Sequence, residues 1–156
     1  MNPHAVATRL GVAALAAATA GALAAGAGSA HADGVYPLTS CLAASPNIVD
    51  MPYNPTRVIV AQYADDTYLT TEFNSVWVGM GYQSSMRLDY RNLRTGQRGT
   101  RFSTRNVSPP YTGTHVFTIR TSQLGRGPVR LTLATTNRNA LISIPAPTCT
   151  TVITVR

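Results

Sequence analysis

Val129-Arg130-Leu131-Thr132-Leu133 alternates apolar and polar side chains without a break. In an extended chain successive side chains point to opposite faces, so Val129, Leu131 and Leu133 share one face while Arg130 and Thr132 share the other. A period of two of this kind belongs to a half-buried antiparallel strand. The pattern returns in His115-Val116-Phe117-Thr118-Ile119, with Phe117 and Ile119 turned inward. Around these two stretches, short runs rich in Val, Ile, Thr, Tyr and Phe alternate with Gly, Pro, Asn and Asp, as strands alternate with turns. Candidate strands cover 35–41, 57–63, 68–73, 75–82, 84–91, 101–107, 115–121, 129–136, 140–144 and 150–156. Beyond residue 32 no window carries a sustained helical stripe, and the reading is an all-β, antiparallel sandwich of roughly 7–10 strands.

Trp77, with Val76, Val78 and Met80 beside it, is a candidate core element. A Trp on a central strand resembles the immunoglobulin arrangement, whereas the cysteines do not: Cys41 follows the first strand and Cys149 precedes the last. The expectation is therefore an immunoglobulin-like architecture rather than an antibody-type domain.

Residues 1–32 have the layout of a secretory signal peptide. Arg9 supplies the positive region, Gly11 to Ala25 the apolar run, and Ala30-His31-Ala32 the cleavage site before Asp33. A single domain then spans 33–156, long enough for one core. No later stretch reaches the roughly 20 apolar residues of a membrane span. The expected location is extracellular or associated with the cell envelope. Cys41 and Cys149 lie 108 positions apart, and in an exported chain two thiols pair as one disulfide. Closing a loop of that size stabilises by about 4.7 kcal/mol in the chain-entropy model.

The segment Tyr90-Arg91-Asn92-Leu93-Arg94-Thr95-Gly96-Gln97-Arg98-Gly99-Thr100 resembles a hairpin of small secreted β-sandwich proteins of mycobacteria and related high-GC bacteria. The resemblance implies fold and export; it implies no catalytic residues.

Much enzyme chemistry is excluded by composition. All 13 basic residues are Arg, so no Schiff-base or P-loop lysine exists. His115 is the single histidine after the leader, which removes two-histidine zinc sites. It sits on a strand, and no G-x-S-x-G elbow accompanies it, so a satisfied, partly buried strand histidine is the expectation. Gly79-Met80-Gly81 lacks the third glycine and the helix of a dinucleotide fingerprint. Asp65, Asp66 and Glu72, flanked by Tyr63, Tyr68 and Phe73, form the one carboxylate cluster. It reads as a solvated turn with Glu72 on an outer face; a glycosidase pair or a calcium site are the alternatives. No cofactor and no metal are expected.

Charge is unevenly distributed. Residues 33–83 hold Arg57 against five acids, residues 84–106 hold six Arg against Asp89, and residues 107–156 hold five Arg and no acid. Pairing Tyr90 with Phe102 on the core face would set Arg91 opposite Arg101, Asp89 opposite Ser103 and Arg87 opposite Arg105, with Arg94 and Arg98 continuing into the loop. Arg87, Arg91, Arg94, Arg98, Arg101 and Arg105 are thus the candidate binding residues. Forked guanidinium donors suit an anionic envelope polymer, lipid head groups or an acidic protein. Nucleic acid ranks lower, because an exported protein rarely meets it and this pairing leaves no aromatic on the outer face. The functional expectation is a secreted non-enzymatic binding or structural module. The alternatives are a small glycosidase-type hydrolase using Asp66 and Glu72, or a secreted effector or inhibitor acting on another protein. The mature protein is expected to begin at Asp33. N-terminal sequencing of material recovered outside the cell checks this, and a start at Met1 or inside the domain would refute it.

Overall fold

The computed structural model describes residues 31–39, 41, 45–47, 57–73, 81–108, 113–145 and 148–156. The expected core residues Val76, Trp77, Val78 and Met80 lie outside them. Apart from one helical turn, the described residues are all-β and form two packed antiparallel sheets. The first contains β1 (His31–Pro37), β2 (Arg57–Tyr63), β3 (Asp66–Phe73) and β6 (Gly113–Arg120), in the order β1-β2-β3-β6. The second contains β4 (Tyr82–Asn92), β5 (Arg98–Val107), β7 (Gly127–Arg138), β8 (Ser143–Pro145) and β9 (Cys149–Val155). Its order is β5-β4-β7-β8, with β9 pairing along the other half of β7. A single helical turn, α1 (Thr121–Leu124), carries the chain from β6 to β7.

The alternating segments build the core as expected. Val129, Leu131 and Leu133 on β7 are buried, facing Phe117 and Ile119 from the first sheet, with Met86, Leu88 and Tyr90 of β4 alongside. Each such side chain removed from water contributes about 1.5–3 kcal/mol. Arg130 alternates with them and is exposed. Two expected segments shift. The first strand ends at Pro37, after which Thr39 makes an isolated bridge to Thr150. The segment expected at 140–144 becomes β8 because the Asn139 carboxamide oxygen accepts the N–H groups of Leu141 and Ile142 at 2.9 and 2.7 Å, bending the chain into a turn first.

The central hairpin differs more consequentially. Tyr90 pairs with Gly99 and not with Phe102; Arg87 faces Phe102, Asp89 faces Thr100, and Arg91 faces Arg98. The expected register centred the loop on Gly96. Gly96 instead occupies the last loop position, with φ 77°, and the loop closes where the Asn92 N–H donates to Gln97 O at 2.7 Å. The resulting slip is an odd number of residues, so every β5 side chain changes face. Gly99 fits this register because the Tyr90 ring lies over it, where a Cβ would collide.

Cys41 and Cys149 are bonded, with Cα atoms 4.9 Å apart, and both are buried. Next to them the Thr39 hydroxyl donates to Thr150 O at 3.1 Å, and farther along the Thr154 N–H donates to the Tyr36 hydroxyl at 3.2 Å. The bond thus locks the segment after β1 to the start of β9. Cys41→Ser is expected to lower stability by about 2–5 kcal/mol. Urea unfolding of oxidised wild type against the variant measures it, and equal midpoints would show the bridge to be dispensable.

Candidate functional site

The register divides the six candidate arginines. Arg87, Arg91 and Arg98 stand on the outer face of the second sheet. Arg101 and Arg105 turn to the opposite face of β5, towards the β6 side of the sandwich. There an Arg101 guanidinium N–H donates to the Gln123 carboxamide at 2.6 Å, and Arg105 lies near enough to His115 to influence its charge. Arg94 is a strut of the hairpin loop and donates to Arg126 O at 3.0 Å. The expected outward line of Arg87, Arg91, Arg101 and Arg105 is therefore corrected: two of its members belong to the other face.

A different line replaces it. Arg98 is directly opposite Arg91, and Arg91 is directly opposite Arg130 of β7. All three are exposed. Adjacent strands are about 4.8 Å apart, so three guanidinium stems rise from a row roughly 10 Å long. Among the described residues none of the three is in an ion pair. The acid of this face, Asp89, is already engaged: Arg87 Nε is 3.0 Å from Oδ2, and the Thr100 hydroxyl donates to Oδ1 at 2.6 Å. Arg91, Arg98 and Arg130, with Asp89, Thr100 and Thr132, line a shallow depression of about 530 Å³. Arg130 escaped the sequence reading because its place beside Arg91 depends on the β4–β7 pairing, which joins strands far apart in the chain.

The hairpin that carries the row is fixed by Asn92, which is fully buried. Its carboxamide oxygen accepts the N–H groups of Arg94 and Thr95, both at 2.9 Å. Its NH2 group lies within hydrogen-bond distance of three carbonyls, those of Leu124, Gly125 and Arg126, at 3.0, 2.9 and 3.2 Å. The Asn-Leu-Arg-Thr-Gly motif is thus a structural knot that binds the β4–β5 loop to the segment entering β7.

The carboxylate cluster does not converge. Asp66 opens β3 and Glu72 lies six residues along it, about 20 Å away at strand rise. A glycosidase pair stands roughly 5–9.5 Å apart. Glu72 accepts from Arg57 at 2.9 Å across the sheet, which accounts for its position on the outer face. Asp65 lies in the β2–β3 turn, where its carbonyl accepts the Thr121 N–H at 2.7 Å. Among the described residues no group of His, Cys, Asp or Glu is placed to hold a metal ion.

His115 is a buried bridge between the sheets. Its Nε2 is 3.1 Å from the Ser84 hydroxyl of β4, and its Nδ1 is 2.9 Å from the Ser103 hydroxyl of β5. Ser84 is itself fully buried, so this Ser–His pair has no access to substrate. Burial, assisted by the Arg105 charge, lowers the His115 pKa to about 4.

Comparisons with protein-family models, with curated proteins and with solved structures returned no match.

The His115 environment gives a pH prediction. Between about pH 6.5 and pH 4 the unfolded chain binds a proton at this position that the folded chain rejects. Stability is therefore fully present above pH 6.5 and declines as pH falls towards 4. A loss of about 2 kcal/mol is expected between pH 7 and 4.5. Urea titrations at the two pH values check it, and His115→Gln should flatten the difference. Equal stability of the wild type at both would refute it.

Proposed function

We propose that the chain is exported and serves as a non-enzymatic binding module of the cell envelope, holding carboxylate- or phosphate-bearing partners on the outer face of its second sheet. The observation that carries the reading is the Arg98–Arg91–Arg130 row: three guanidinium groups at opposed positions, on an exposed face where Asp89, the one acid among its described residues, is already paired. Like charges directly opposite destabilise a sheet by up to about 1 kcal/mol per pair. An anion lying across the row relieves that repulsion, and forked donors suit it geometrically.

Export is supported by the leader-like first 32 residues and by the Cys41–Cys149 disulfide. Among the described residues no helix is long and apolar enough to cross a membrane. The immunoglobulin-like character proposed for the sandwich is supported by its two packed antiparallel sheets.

Replacing Arg91, Arg98 and Arg130 together with Gln should reduce retention on isolated cell envelope several-fold and remove most of its salt dependence, because such attraction is screened within about 8–10 Å at physiological salt. Replacing Arg101 and Arg105 with Gln should leave retention unchanged. A sedimentation assay across a salt series reads both, and equal retention by the triple variant and the wild type would end the proposal.

A further inference from the structure

The true register brings an aromatic ring to the face on which the arginine row stands. Phe102 is 76% exposed, directly opposite Arg87 and four residues along β5 from Arg98. It borders a second depression of about 310 Å³, whose floor includes Ala134 and Ser85. Between ring and arginine row lie the hydroxyls of Thr100, Thr132 and Thr150, at opposed positions with Asp89 among them. The 530 Å³ depression does not stop at Arg130. A third, of about 500 Å³, shares that residue and continues over Thr150 and Val152 of β9. The face therefore offers a track of cations across the strands, a parallel line of neutral hydroxyls with one carboxylate, and an apolar plate.

Resting on the anion-binding reading above, we infer that the ligand of this face is a linear anionic polysaccharide. Each part has a counterpart in that chemistry. Carboxylates or acid esters repeating along a sugar chain meet Arg98, Arg91 and Arg130. Ring hydroxyls exchange hydrogen bonds with the threonines and with the outward parts of Asp89. The C–H face of one sugar rests on Phe102. A lipid surface fits less well, because the arginines and Phe102 line shallow depressions rather than a protruding face. Single-stranded nucleic acid would find one stacking platform where such sites use several.

The test uses the oxidised mature protein with four probes: polygalacturonate, dextran as a neutral polysaccharide, phosphatidylglycerol vesicles and an oligothymidylate. Polygalacturonate should bind and dextran should not. Phe102→Ala, an exposed substitution, should weaken polygalacturonate binding about fivefold without changing its salt dependence, and Phe102→Trp should retain it. The triple Arg→Gln variant should lower the slope of log affinity against log salt by about 2. Vesicles or oligothymidylate binding as tightly as polygalacturonate, with Phe102→Ala indifferent, would overturn the polysaccharide assignment while leaving the anion-binding face standing. Failure of all three polyanions to bind would overturn both.

Discussion

The register of the β4–β5 hairpin depends on Asn92, and most of the candidate site depends on that register. One buried carboxamide holds two N–H groups of its own loop and three carbonyls from the segment that enters β7. A buried amide so fully satisfied stabilises its arrangement and penalises any other, since each polar group left unpaired costs about 1–3 kcal/mol. With Asn92 bonded in this way the loop closes at Gln97. Closure there sets Gly99 under the Tyr90 ring, Arg98 beside Arg91 and Phe102 out in solvent. A hairpin closed one residue differently would send the Arg98 side chain to the interior and bring Arg101 outside.

The fold also turns a charge gradient along the chain into one between layers. Strands of the first sheet carry three acids and two arginines; strands of the second carry seven arginines and one acid. Antiparallel hairpins cause this, because they keep β1 to β3 together in one sheet while β4 and β5 begin the other. Ion pairing within the first layer, as between Arg57 and Glu72, leaves little net field there, whereas the described strands of the second sheet have Asp89 alone to oppose their cations. Long-range attraction of an anion is consequently directional, and salt weakens it.

Fold class was legible because it is written in local periodicity. Val129 to Leu133 and His115 to Ile119 alternate unambiguously, and both are buried on the expected face. The disulfide was legible by elimination, there being two thiols. The arginine row was not, since neither of its determinants is local. The hairpin register rests on hydrogen bonds from Asn92 to residues 32 to 34 positions away, and Arg130 joins the row through β7. Pairing the two aromatics Tyr90 and Phe102 follows an ordinary preference for cross-strand contact. It fails here because Tyr90 packs over a glycine and Gly96 ends the loop instead of centring it. The same slip puts an aromatic on the outer face, which removes one of the two grounds for ranking nucleic acid low and leaves the other, that an exported protein rarely meets it.

The placement of the row bears on how well it can discriminate among anions. Arg91 and Arg130 rise from strands that are paired on both sides, β4 between β5 and β7, and β7 between β4 and β9. Arg98 starts the edge strand, one residue from the Gln97 carbonyl that closes the loop. Stems anchored in this way hold their spacing while the guanidinium ends adjust, so the row is ordered at its base before any ligand arrives. A site on rigid strands spends less of its binding energy on ordering itself than the same residues on a loop would. Arg94, tied to Arg126 O, shows the contrasting use of the residue, in which the cation completes the scaffold of the loop.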